Sequence, residues 1–307
     1  MTGTTDQDRE PAVHAGGQPQ GTTLEGMVKA VRPRQWVKNL LVLAAPVLSG
    51  QAGDGPVLAG AAIAFVAFSL AASGIYLVND VRDVEEDRRH PKKRHRPIAA
   101  GLVSPFAAVA TAIVLLTAAP LIGLLATTQL TIVVLVYEGL SLLYCLALKD
   151  EPVIDIAIVA SGFLLRAIAG GAATDISLSQ WFLLAASFGS LFMASGKRYA
   201  EARAHGDSAE TRKSLVGYTQ TYLRFVWTMS ASVLIMTYGL WAFEEGGRTG
   251  SVFAAISVAP FVLAVLRYAV DVDAGKADAP EEIALGDRVL QVLAVLWLAT
   301  VVAAVYV

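Results

Sequence analysis

The sequence predicts an all-α polytopic membrane protein with nine transmembrane helices, and three observations carry that prediction. Charged residues fill only 16% of the 307 positions while 55% are hydrophobic, against about 25% charged in an average soluble domain. Apolar runs near the length a helix needs to cross a bilayer core, about 20 residues, recur along the whole chain. The basic residues gather in loops on one side of the implied membrane. The net charge of −2 adds little, because the charges are segregated along the chain.

The elements follow in order. Residues 1–23 are polar, rich in Gly, Thr, Gln and Asp, and lack the apolar core of a secretory signal. They read as a disordered cytoplasmic tail, and 24–307 as one transmembrane domain. Apolar runs lie near 36–51, 56–78, 103–126, 129–148, 152–172, 180–196, 225–244, 250–270 and 286–307. The first is short, so its helix is expected to begin before Trp36, near Met27. Pro120 falls in the third, as a helix-end residue or a kink. With the N-terminus in the cytoplasm, the inside segments are 1–35, 79–102, 149–151, 197–224 and 271–285, and nearly every Lys and Arg falls in or beside them. The outside loops contain one basic residue, Arg248. The expected location is therefore the cell (plasma) membrane, with the charged loops cytoplasmic and the C-terminus outside. A single cysteine, Cys145, excludes an intramolecular disulfide framework and a Cys-based zinc site. Within its apolar run it reads as a small core residue.

Chemistry concentrates where the second span ends. Asp80, Asp83 and Asp87 are spaced i, i+3, i+7, and Asn79 precedes Asp83 by four, so on a helix all four share one face. Three aligned carboxylates repel one another unless a cation sits among them. Mg²⁺ fits such a site: it takes oxygen ligands, keeps waters, and is usually held by one or two carboxylates plus substrate phosphates. The pattern therefore suggests a metal-bridged diphosphate site. A solvated charged helix end is the plain alternative. The basic run Arg88–Pro97 that follows is what positive-inside topology alone would produce. No aromatic platform interleaves it, so nucleic acid is a poor partner; phosphate or anionic lipid suits it better.

Asn79-Asp80-x-x-Asp83-x-x-x-Asp87, followed by Arg88, His90, Lys93, Arg96 and Pro97, resembles the first signature of the UbiA superfamily of intramembrane prenyltransferases. The resemblance covers almost all of the chain past residue 24. It implies nine helices around a central cavity, with two acidic motifs on the cytoplasmic side. The place of the second motif reads Tyr144 to Asp155 and departs from the common D-x-x-x-D: its acids, Asp150 and Asp155, are one residue further apart, and Lys149 precedes them. With Arg32-Pro33-Arg34-Gln35-Trp36-Val37-Lys38-Asn39, the run Gly162 to Gly171 containing Arg166, and Ser195-Gly196-Lys197-Arg198-Tyr199-Ala200-Glu201, these features look like one branch, the decaprenyl-phosphate phosphoribosyltransferases of actinobacterial cell-wall (arabinogalactan precursor) synthesis.

That resemblance implies transfer of 5-phosphoribosyl from phosphoribosyl diphosphate to a polyprenyl phosphate lipid, with Mg²⁺ as cofactor and pyrophosphate leaving. Asn79, Asp80, Asp83 and Asp87 are the expected metal ligands, and Asp155 joins the three acids as a catalytic candidate. Lys38, Asn79, Tyr144, Lys149, Arg166, Lys197 and Arg198 are the expected substrate contacts. Arg166 lies inside a span, where an Arg is costly and faces a polar interior or a partner; an ion pair with Asp155, eleven residues away, is the plain alternative. Gly196-Lys197-Arg198 lacks the upstream glycine spacing of a Walker loop. Trp36 and Trp181 read as interface anchors, and His14, His90, His95 and His205 as solvated loop residues. Two rivals remain at this point: an aromatic prenyltransferase of the same superfamily, and a membrane transporter, which would place its ionisable residues nearer the midplane. A homo-oligomer is left open.

Overall fold

The computed structural model describes residues 22–205, 217–277, 283 and 286–307, and among these it is helical with no strand. The expected tail lies outside the described residues except for its last two positions, as do His14 and the side chain of His205. The chain opens with α1 (Thr23–Ala30), a 3₁₀ segment (Pro33–Leu43) and α2 (Ala44–Leu48). Then come α3 (Gly55–Arg82), the short α4 (Val84–Arg89), α5 (Pro105–Gly123), and α6 (Thr128–Leu143), which a π turn extends over Tyr144–Leu148. The remaining helices are α7 (Ile154–Thr174), α8 (Gln180–His205), α9 (Gln220–Thr249), α10 (Val252–Asp273) and α11 (Arg288–Tyr306).

Seven of these, α3, α5, α6 with its π turn, α7, α9, α10 and α11, are long and apolar enough to cross a membrane. The other two expected spans are helical but do not share that character. The first is split between the 3₁₀ segment and α2, and α8 runs on into Lys197, Arg198 and Glu201. The count of nine rests on the sequence for those two.

Side-chain oxygens set where several helices begin. Ser104, Thr127, Thr219, Ser251 and Asp287 each accept a hydrogen bond from a backbone N–H in the first turn of α5, α6, α9, α10 and α11, satisfying donors the helix cannot. α3 forms the centre of one half, packed on α5, α6, α7 and the 3₁₀ segment, with Ala64, Ala67, Phe68 and Ala71 fully buried. α8 joins that half to α9, and α10 carries α11 on the outside. Lipid is as apolar as leucine, so helices associate through close packing of small residues. A Cβ on Gly60 of α3 would stand 2.6 Å from the Ala173 carbonyl oxygen of α7.

The first span departs from the expected single helix beginning near Met27. α1 starts earlier and stops at Ala30, and Arg32 takes the left-handed conformation (φ 54°, ψ 59°). Pro33 accounts for the stop, because a proline disfavours continuing the α conformation at the preceding residue. The 3₁₀ run that follows has 11 residues, where runs beyond about four are uncommon. Tertiary bonds hold it: Trp36 Nε1 donates to Ser73 Oγ at 3.1 Å, and Asn39 Nδ2 to Ser69 Oγ at 3.0 Å. Trp36 is therefore bonded into the bundle through its indole nitrogen, beyond the interface role expected of it.

Candidate active site

α3 brings its polar residues to one end of the bundle and stops there. Asp83 caps it at φ −93°, ψ 11°, and α4 continues after this kink. Backbone bonds still run from Asp83 N–H to the Asn79 carbonyl and from Asp87 N–H to the Asp83 carbonyl, so the four expected ligands stay on neighbouring turns. They divide, however, into two pairs. Asp80 and Asp87 are almost fully buried, at 1% and 2% exposure, and both accept from Arg96 Nη1, at 3.0 and 2.7 Å. Asp80 also receives Arg32 Nη2 on both oxygens, at 2.6 and 2.9 Å. Asp83 and Asn79 face the end of α6 instead: Lys149 Nζ donates to Asp83 Oδ1 at 2.6 Å, and Cys145 Sγ lies 3.7 Å from Asn79 Oδ1.

The repulsion expected among the acids is thus relieved by three cations drawn from three separate elements. Removing one partner from a buried ion pair leaves an uncompensated charge, a change that costs about 3–5 kcal/mol. Among the described residues no group of three or more His, Cys, Asp or Glu is arranged around a common metal position. Asn79, Asp80, Asp83 and Asp87 nevertheless form an all-oxygen donor set, the kind a hard divalent cation selects. Their present cationic partners, Arg32, Arg96 and Lys149, have long flexible side chains.

The other expected site residues fall in three places. Asp155, at the start of α7, is fully buried. It accepts from Arg198 Nε at 2.8 Å and from the Tyr218 hydroxyl at 2.5 Å. Arg198 also donates to Tyr144 Oη at 3.2 Å and to Glu201 at 2.7 Å. Tyr144, Asp155 and Arg198 are therefore one hydrogen-bonded group. Burial and the bond to the Asp155 carboxylate push the Tyr218 phenol well above the usual tyrosine range.

Arg166 lies deeper and is not paired with Asp155. Its Nε donates to Asn39 Oδ1 at 2.7 Å, Nη1 to the Gly162 carbonyl at 2.5 Å, and Nη2 to Tyr137 Oη at 3.2 Å. The guanidinium also lies 5.0 Å from the Tyr137 ring centroid, 5.7 Å from that of Phe163 and 5.8 Å from that of Phe68, a favourable setting for a desolvated cation. Its bonds tie α7 and α6 to the 3₁₀ segment. Lys38 is half-buried on that segment, and Lys197 is half-buried beside Arg198.

Sequence reasoning did not assign a role to Arg32, Arg96, Asn39 or Tyr218. Arg32 had a signal, since a residue before proline marks a break in the chain. Arg96 is hidden in a basic run that topology already explains, and Tyr218 has no local pattern at all.

The comparisons with known proteins agree with this architecture. The family model described as "UbiA prenyltransferase family" matches residues 40–285. The chain is 56% identical over 293 residues to the decaprenyl-phosphate phosphoribosyltransferase of Mycobacterium tuberculosis (strain CDC 1551 / Oshkosh), covering 94% of this chain and 97% of the relative. It is 52% identical over 310 residues to the protein of that name from Mycolicibacterium smegmatis, covering 97% of each. Among solved structures, a UbiA homolog from Archaeoglobus fulgidus bound to DMAPP and Mg²⁺ superposes with a TM-score of 0.71 over 92% of this chain and 99% of that one, at 15% identity. That last likeness speaks for the fold alone. The helical bundle, the acids at the end of α3 and a family match across most of the sequence lead to one assignment: this chain belongs to the UbiA prenyltransferase family.

Proposed function

We propose that this protein transfers the 5-phosphoribosyl group of phosphoribosyl diphosphate to decaprenyl phosphate, or a related polyprenyl phosphate, and releases pyrophosphate. The observation that carries this reading is the near full-length identity, 56% and 52%, to relatives named for that activity. The cationic surroundings of the acids support it, because the reaction joins two strongly anionic substrates. We place the site at the cytoplasmic face of the cell membrane, on the basic loops that surround it.

Asn79, Asp80, Asp83 and Asp87 are the residues that would hold Mg²⁺. When bound, the ion neutralises charge on the diphosphate as it leaves. Lys149 and Arg32 already stand against Asp83 and Asp80 at 2.6 Å and are placed to turn to the donor's phosphates. Lys38 and Lys197 are the further cations assigned to the substrates. A phosphate oxygen of the acceptor bonds to C1 of the ribose as the bond from C1 to the diphosphate oxygen breaks, and that electron pair leaves with pyrophosphate. The acceptor is already an anion, so no proton need move and no strong base is required. The demands on the protein are positioning and charge stabilisation.

A transfer assay tests this. Purified protein in detergent receives Mg²⁺, decaprenyl phosphate and labelled phosphoribosyl diphosphate; a parallel reaction receives a prenyl diphosphate and 4-hydroxybenzoate. The expected result is label in the lipid phase, abolished by EDTA. Product in the parallel reaction alone overturns the substrates and keeps the family.

A further inference from the structure

The short connection between α6 and α7 carries Lys149 and is held more firmly than a connector needs. It leaves the π turn that ends α6 at Leu148. Five residues later Val153 stands at φ 72°, ψ −48°, a conformation that is a true outlier for a β-branched side chain. Such strain persists only where surrounding structure over-determines it. Here the fixing group is the Tyr218 hydroxyl, which accepts from the Val153 N–H and donates to Asp155 Oδ1 at 2.5 Å. Arg198 fastens both ends of the same stretch, bonding Tyr144 before it and Asp155 after it. Gly217 lies so close to Pro152 that a Cβ there would overlap its ring, which brings the Tyr218 backbone against the loop. Between these fixed points stands Lys149, 2.6 Å from Asp83.

We infer that Tyr218 is a positioning residue: its hydroxyl latches the strained corner at Val153 and so sets the Lys149 ammonium against Asp83, where the donor's diphosphate is bound. This rests on the proposed function, in which Lys149 meets that diphosphate. The chemistry asked of Tyr218 is one oxygen that both accepts and donates. Phenylalanine keeps the ring, including its stacking on Tyr222 at 5.8 Å, and removes only that oxygen.

A double-mutant cycle on the full-length protein tests the latch, using wild type, Tyr218→Phe, Lys149→Met and the double variant. KM for phosphoribosyl diphosphate and kcat are measured with Mg²⁺ and decaprenyl phosphate. Tyr218→Phe is expected to raise KM about tenfold, as loss of one hydrogen bond to a charged group does, with kcat changed less than about twofold. In the Lys149→Met background the same substitution should change KM less than about twofold, because no ammonium is left to place. A tenfold rise in both backgrounds overturns the inference, and so does an unchanged KM in the single variant. Thermal unfolding checks that each protein is folded. Should Tyr218→Phe fail to fold, Val153→Gly takes its place in the cycle, since glycine frees the strained corner that the hydroxyl holds, and the same pattern is expected. A wild type that transfers no label overturns the proposed function and the latch together; a wild type that turns over while the cycle is additive overturns the latch alone.

Discussion

Gly170→Ala tests whether the 3₁₀ segment is held against α7 as closely as the structure draws it. A Cβ at residue 170 would stand 2.9 Å from the Val42 carbonyl carbon and 3.2 Å from its Cα, with the carbonyl oxygen closer still. All three atoms are backbone, so no rotamer change relieves the overlap. To recover ordinary contact the Val42 carbonyl must withdraw by more than about 1 Å. Asn39, three residues earlier, is bonded to Arg166 at 2.7 Å and to Ser69 at 3.0 Å, and a shift of that size breaks at least one of these bonds. Overpacking of this kind costs about 1–3 kcal/mol. Arg32, which grips Asp80, directly precedes the segment, and misplacement of a site by about 1 Å can lower a rate about a hundredfold. The assay is thermal unfolding in detergent together with label transfer, with Gly139→Ala as control, since nothing lies within 4 Å of a Cβ there. A Gly170→Ala protein that melts and turns over like wild type would falsify the close approach and the anchoring argued from it.

Three further outcomes are expected. Asp83→Ala, and separately EDTA, each abolish transfer by the folded protein; turnover retained after Asp83→Ala removes this acid from the mechanism. Arg96→Gln lowers the unfolding temperature more than Arg32→Gln, because it strips Asp87 of its cation at 2% exposure, while Asp80 keeps Arg96 when Arg32 is lost. The expected cost is about 3–5 kcal/mol for Arg96→Gln, and equal losses from the two variants contradict the geometry. Arg166→Met destabilises by about 1–3 kcal/mol through the stranded Asn39 and Tyr137 oxygens, and Asn39→Leu/Arg166→Met recovers part of that loss. Additive losses would show that the two residues are not coupled.

Seven of the nine expected spans were readable because membrane crossing imposes length and apolarity on contiguous residues. The acids at the end of α3 were readable for a related reason: their spacing is local. Their division into two pairs was not, since it follows from where α3 kinks at Asp83 and from which cations return to it. Arg96 reaches Asp80 across 16 positions and Arg32 across 48, and no periodicity encodes such a return. Arg166 shows the same limit from another side. A buried arginine is conspicuous in a span, but its partner Asn39 is 127 positions away, and the nearer Asp155 is committed to Arg198 and Tyr218. The broken first span was legible in principle at Arg32-Pro33, but the apolar run beyond it favoured a continuous helix.

On the proposed function, the matching of cations to acids constrains how substrates would enter. Asp80 carries Arg32 and Arg96, Asp87 shares Arg96, and Asp83 carries Lys149, so the cluster is close to neutral as it stands. A divalent cation taken up alone would displace Lys149 from Asp83 and leave it nearby as a like charge, which is unfavourable. A diphosphate taken up alone would draw Lys149 away and expose its phosphates to the freed carboxylate. Taken up together, each supplies the counter-charge that the other removes. Lys149→Met should therefore have effects of opposite sign on the two ligands. Without donor, Mn²⁺, as a paramagnetic stand-in for Mg²⁺, should bind the variant more tightly than wild type in an EPR titration, by about tenfold if about 1.4 kcal/mol of competition is relieved. In turnover, KM for the donor should rise, because the cation meant for its phosphates is gone. Weaker Mn²⁺ binding by Lys149→Met in the absence of donor would refute the exchange, since it would mean that Lys149 supports the acids as a metal site and does not compete for them.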